Sequence, residues 1–265
     1  GIFGATAAAG KLLGLSQEQM VHAFGIAYSQ SAGNRQCIVD GALTKRFQAG
    51  QAAHGAVLSV FLAKEGFTGA VNVFAGQYGF FPMYQEGGYD LSEITKDLGE
   101  EFLGDRISLK PYPCGRPTHS YIDAAIKLHH ALHLDCTSID TVVVHTDSEA
   151  DASRYSVSSR IIHPQQQVEA QFSLPYLIGC ALVLGKVGID QISAFNDPNV
   201  LAIASIVQEE RKDGMLNGQI EMTVACSSGA SASVVVEPPS GSPNNPLSAK
   251  QLEDKFRDCA AHSLQ

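Results

Sequence analysis

Apolar positions recur with a helical period through the first third of the chain. Ser16, with Gln19 three residues later, has the pattern of a capping box ahead of Met20, Val21, Phe24 and Ile26, which predicts a helix ending near Ser29. A second helix is expected from about Thr44, carrying Phe47, Ala52, Val57, Leu58, Phe61 and Leu62 to a stop at Gly66. Ala5, Ala7, Ala8, Ala9, Ala52, Ala53 and Ala56 let such helices approach closely, so this part reads as a slice of a bundle. Beyond the turn-rich "GQYGFFPMYQEGGYD" the period shortens. Strand-like runs are expected at Ile107 to Leu109, Thr141 to His145, Gln219 to Ala225 and Ser231 to Glu237, with helical patterns at Thr118 to Leu132 and Phe172 to Leu184. The fold class is therefore α+β: the end of an all-helical bundle domain over 1–102 and a smaller α+β domain over 103–238. Over 239–265, the stretch "PPSGSPNNP" acts as a linker and Ser248 caps a last helix, expected to return to the helical domain.

With 265 residues, 45% of them apolar and 17% charged, the chain has enough material for a sizeable core. Its net charge of −9 leaves no general affinity for nucleic acid or an anionic membrane, so any anionic ligand must be met by a local group of cations. No apolar run approaches the roughly 20 residues that cross a bilayer, and the chain is read as soluble. Six scattered cysteines without a C-x-x-C pair suggest neither a zinc site nor a disulfide framework. Together with the absence of an N-x-S/T sequon, this predicts an intracellular, cytoplasmic setting, with a mitochondrial one as the alternative. Both ends read as unfinished.

Several stretches invite chemical readings. "GATAAAGKL" has five residues between its glycines instead of four, and Leu12 follows the lysine, so it is read as packed helix and not as a phosphate loop. His129, His130 and His133 have metal-like spacing but lack the neighbouring glutamate of a zinc protease, and are read as a solvated helix end. Lys45 and Arg46 stand at the start of a helix, where the dipole disfavours cations, so propensity does not explain them. "KPYPCGRPTH" is the most unusual. Pro111, Pro113 and Pro117 stiffen a loop that holds Lys110, Arg116 and His119, and Thr118 is expected to cap the helix that follows. Such an arrangement suits an anion. The pattern alone makes Tyr176, just after Pro175, a core residue whose hydroxyl needs a partner.

The motifs "GxFGAxAAAxKLLGLxxEQ", "TKRFxAGxAAxxAVL", "GFTGA", "KPYPCxRxTHxxIDAA", "FSLPYxIxxAL" and "NPLSxxxLxxKF" occur in order. Together they resemble the MmgE/PrpD family of 2-methylcitrate dehydratases, cis-aconitate decarboxylases and iminodisuccinate epimerases, here its C-terminal portion only. The resemblance implies a helical domain and an α+β domain with the active site between them, usually in a homodimer, and no cofactor or metal. It implies that an early segment contributing an Asp and His residues to the site is not in this chain. A homo-oligomer is then expected, or a hetero-oligomer with a chain carrying that half. By the same resemblance Lys45, Lys110, His119 and Tyr176 are catalytic, and Arg46, Arg116 and Thr118 bind substrate. Gln48 stands where many members have His, and Gly115 where the decarboxylase branch has a site His. The implied activity is that of a hydro-lyase on a 2-alkylcitrate-like di- or tricarboxylic acid. Epimerisation or decarboxylation of a related acid is the alternative, as is a catalytically incomplete binding subunit.

Overall fold

The computed structural model describes residues 1–132, 139–146, 161–216 and 219–263. They form two compact units, Gly1–Phe102 and Leu103–Gln265.

The first unit is helical: α1 (Ile2–Leu13), α2 (Gln17–Ser29), a short α3 (Gln36–Val39), α4 (Thr44–Lys64) and a short α5 (Phe80–Tyr84). Ser16 accepts from the Gln19 amide and the Gln19 side chain accepts from the Ser16 amide, so the capping box forms and fixes where α2 begins. The phosphate-loop lookalike is simply α1. It packs on α2 and α4 through small residues, with Ala27 and Ala56 fully buried and Ile2 nearly so. A second cluster joins Ala23 and Ile26 to Val60 and Ala63. Phe47, Leu58 and Phe61, which share one face of α4, remain exposed. The Phe67–Ala70 turn lies directly against α2: a Cβ on Gly25 would sit 2.3 Å from both N and O of Ala70.

The second unit is built on a four-stranded sheet of order β2-β1-β3-β4, from β1 (Ile139–Thr146), β2 (Val207–Arg211), β3 (Ile220–Cys226) and β4 (Ser231–Val236). β1 runs parallel to β2 and antiparallel to β3, which forms a hairpin with β4. α6 (His119–Leu132) packs across β3 and β4, and α8 (Leu174–Leu184) packs on α6. α7 (Gln167–Phe172), α9 (Ile189–Ser193) and α10 (Pro198–Ala204) complete the layer. Ile122, Leu128, Leu177, Ile178, Val142 and Met222 form the fully buried centre, an α+β core of alternating strand residues against an almost wholly apolar helix.

Two sequence expectations change here. Ile107 to Leu109 is not a strand; Leu109 instead donates its N–H to the Gly241 carbonyl at 2.8 Å, one extended contact without a ladder. The strand Val207–Arg211 has no clear alternation in its sequence, "VQEER", and forms because β1 offers it an open edge. The last helix, α11 (Ala249–Ala261), is capped by Ser248 as expected and is grouped with the second unit. Among the described residues no helix is long and apolar enough to cross a membrane.

Gly25→Ala tests the close approach in the first unit. Its methyl group forces α2 and the Phe67–Ala70 turn apart, and urea unfolding is expected to show a loss of about 1–3 kcal/mol.

Candidate functional site

The stiff loop of the sequence becomes a bent entry, Lys110 to Gly115, followed by a single 3-10 turn, Arg116–Thr118, that runs straight into α6. Thr118 does not cap this helix. It lies inside the turn, and its hydroxyl donates back to the Gly115 carbonyl at 2.8 Å while lying 3.2 Å from the Cys114 thiol. Proline at the second position of the turn is compatible with this geometry because the first amides of a helical turn need no intrahelical partner. Thr118 is fully buried, and its hydroxyl shapes the loop.

The loop folds over its own lysine. Lys110 Nζ donates to the Cys114 carbonyl at 2.9 Å, closing a ring of backbone that the prolines have already made rigid. Arg116 is exposed on the turn. From α11, Lys255 donates to the Lys110 carbonyl. Three cations therefore converge on one short stretch.

His119 lies beneath them. It is 1% exposed, and its Nε2 is buried without a hydrogen-bond partner among the described residues. The Tyr112 ring packs edge-on against it, with centroids 5.3 Å apart and planes at 84°. Burial, then Lys110, Arg116 and Lys255, lower the imidazole pKa from its ordinary 6.5 to about 4. His119 is thus neutral at pH 7, with a nitrogen free to take or share a proton. Burial pushes the Cys114 thiol up to about 11, against the pull of Thr118 and the lysines, so it is not a thiolate nucleophile.

The remaining expected residues belong to other elements. Tyr176 is fully buried in the core, and its hydroxyl is directed at the carbonyls of Gln191 (2.7 Å) and Ala194 (3.0 Å). Burial raises its phenol pKa, and none of its hydrogen bonds reaches the loop. The pattern-based reading of a core tyrosine describes it. Lys45 and Arg46 are exposed in the first turn of α4, in the first unit. Beside them Gln48 ties down the preceding segment: its amide donates to the Asn34 carbonyl at 3.0 Å and accepts from the Asn34 N–H at 3.3 Å. His129 Nδ1 lies 2.7 Å from the Leu182 carbonyl, a helix-packing contact; His133 lies outside the described residues.

Sequence reasoning passed over Tyr112, Asp123 and Lys255. All three lie within quoted motifs, "KPYP", "IDAA" and "LxxKF", but nothing in the local pattern marks them as partners. Tyr112 and Lys255 also line a cleft of about 630 Å³ together with Lys186 and Asp258; His119, Lys110 and Arg116 do not line it.

Comparison with known proteins places this geometry in context. The sequence model of the MmgE/PrpD C-terminal domain matches residues 112–265, and that of the N-terminal domain matches residues 1–92. The chain belongs to the MmgE/PrpD family. Residues of both family domains are therefore present, which amends the expectation of a C-terminal portion only. The cis-aconitate decarboxylase-like protein oryM of Aspergillus oryzae is 28% identical over 97% of this chain and 56% of its own length. The cis-aconitate decarboxylase of Aspergillus terreus is 27% identical over 98% of the chain and 57% of its own length. The human cis-aconitate decarboxylase is 27% identical over 100% of the chain and 55% of its own length. The chain thus spans about half the length of the curated relatives it matches.

The buried imidazole of this MmgE/PrpD chain carries a pH signature. Because its folded pKa lies below the unfolded one, the unfolded chain binds the extra proton first as pH falls. The contribution of this group is complete above pH 6.5 and is lost between 6.5 and about 4, by at most about 3–4 kcal/mol. Urea unfolding across that range should show the decline, and His119→Gln should flatten it.

Proposed function

We propose that the chain contributes the cation-and-imidazole part of a lyase site that acts on a tricarboxylic acid. The observation that carries this reading is the neutral, buried His119, whose Nε2 has no partner among the described residues while Lys110 and Arg116 stand over it. Removing a proton α to a carboxylate builds a dianionic enediolate, which forms only where fixed positive charge meets it. His119 takes the proton. Lys110 and Arg116 bind and polarise carboxylate groups, Arg116 with its bidentate fork. Departure of a β-hydroxyl from the carbanion completes a dehydration, as for a 2-alkylcitrate. Lys45 and Arg46 remain proposed carboxylate ligands of the first unit.

The positive side chains supply the charge that a metal ion would otherwise supply, so the reaction is proposed to be metal-independent. Activity should survive exhaustive treatment with a chelator, and its loss would refute that part of the reading.

Decarboxylation is the second reading, supported by what the three relatives are named for. Weighing against it, the resemblance sets a site histidine of the decarboxylase branch at the position of Gly115. A second copy of this chain or a partner polypeptide is proposed to cover the exposed face of α4 at Phe47, Leu58 and Phe61.

Native mass spectrometry of the protein as isolated, followed by assay with 2-methylcitrate, cis-aconitate and iminodisuccinate, tests the reading. A complex that turns over a tricarboxylic acid is expected, and Lys110→Ala should lower carboxylate binding at least about tenfold. Turnover of iminodisuccinate alone would move the assignment to epimerisation. A monomer that neither binds nor converts any of the three would leave a non-catalytic role.

A further inference from the structure

The loop that carries Lys110 is tied at several points to segments far away in the chain, and these ties meet at one carboxylate. Asp123 lies on α6, one turn beyond His119, and is 6% exposed. One of its oxygens accepts from the Tyr112 hydroxyl at 2.5 Å, and the other accepts from the Ser240 N–H at 2.7 Å. Ser240 belongs to the proline-rich stretch that the sequence presents as a linker. Its neighbour Gly241 takes the Leu109 N–H and is itself held by the Asn245 carbonyl, each at 2.8 Å. The approach is so close that a Cβ on Gly241 would stand 1.9 Å from the Leu109 oxygen, and its φ of +81° disfavours any other residue. Leu109, Lys110 and Tyr112 are therefore held in turn by Gly241, Lys255 and Asp123.

We propose that Asp123 is a positioning residue for the lysine loop, acting through Tyr112 and Ser240, and that residues 238–246 form part of the site's framework. Tyr112 is the shared piece. Its hydroxyl is fixed by Asp123 while its ring closes the side of His119, so the carboxylate sets both the height of the loop and the dryness of the imidazole. Loss of the Asp123 anchor frees the Tyr112 ring, lets water reach His119 and lets Lys110 move away. The inference rests on the proposed role of the loop, but it can be read without substrate.

The test follows the titration of His119 by NMR in the full chain and in Asp123→Ala, Asp123→Asn and Tyr112→Phe. The charged groups acting on the imidazole are Lys110, Arg116 and Lys255, with Asp123 one turn along the helix. Deleting a negative charge by itself would lower the midpoint further. Release of the loop does the opposite, so in Asp123→Ala the midpoint is expected to rise from about 4 to above about 5. Asn, which can still accept from Ser240, should restore part of the original value. Tyr112→Phe keeps the ring and the fold, and should give a smaller rise in the same direction. This variant decides the matter if Asp123→Ala does not fold. A midpoint that stays put or falls in folded Tyr112→Phe, and in Asp123→Ala where that folds, overturns the proposal. In an active complex, Tyr112→Phe should lower kcat/KM about tenfold. A rise in midpoint in a chain with no lyase activity would uphold the positioning role and reject the reaction.

Discussion

A carboxylate removed from water must find donors for its oxygens, and the second unit depends on how Asp123 meets that requirement. An isolated buried charge costs several kcal/mol, far more than a small unit can absorb. The donors are a phenol eleven residues earlier and a backbone amide 117 residues later. Neither can be exchanged for a neighbour without moving the loop or the chain beyond β4. The demand for those two donors therefore brings three distant segments into one register. The contact of Gly241 with Leu109 then becomes possible, and the chain path it sets leads to α11, whose Lys255 closes on Lys110.

The electrostatics of the loop follow from this packing. Desolvation acts in one direction on His119 and in the other on Cys114 and Tyr112, because burial always penalises the charged form. The outcome in all three cases is a neutral group. Positive charge is carried only by the lysines and Arg116, whose ammonium and guanidinium groups keep access to water or to a carbonyl oxygen. This separates a positively charged rim from a neutral interior within an overall acidic chain.

Much of the fold could be read from sequence because it is local. The capping boxes at Ser16 and Ser248 are contained within four residues each, and the small-residue pattern of α1 and α4 specifies close packing without reference to partners. The hairpin β3–β4 alternates cleanly enough to be read directly. β2 could not be read because its partner β1 is more than sixty residues away and its own polar pattern resembles a surface turn. In the site, Lys110, Arg116 and His119 stood out because their residue types are costly to place on a stiff loop. Asp123 and Tyr112 did not, since a carboxylate and a phenol in a helix and a loop look ordinary until their mutual distance is known. Thr118 was misread for a similar reason: a threonine before a helix reads as a cap, but a preceding proline turn leaves its hydroxyl facing back to Gly115.

The depressed basicity of His119 looks at first like a poor property in a proton acceptor. A base with a pKa near 4 is weak, and the cations that bind a carboxylate are among the causes of that weakness. Within the proposed reaction the two facts resolve each other. When a polycarboxylate occupies Lys110 and Arg116, its negative charges cancel the field that held the imidazole pKa down, and only desolvation remains to oppose protonation. The basicity of His119 then rises in the complex and not in the free protein. An imidazole kept neutral and dry, waiting under cations that the substrate itself neutralises, is ready to accept a proton when the acid to be deprotonated has arrived. The rigid loop matters for this reason. Cations that swung away with the ligand, or a Tyr112 that let water in, would uncouple the arrival of the acid from the activation of the base.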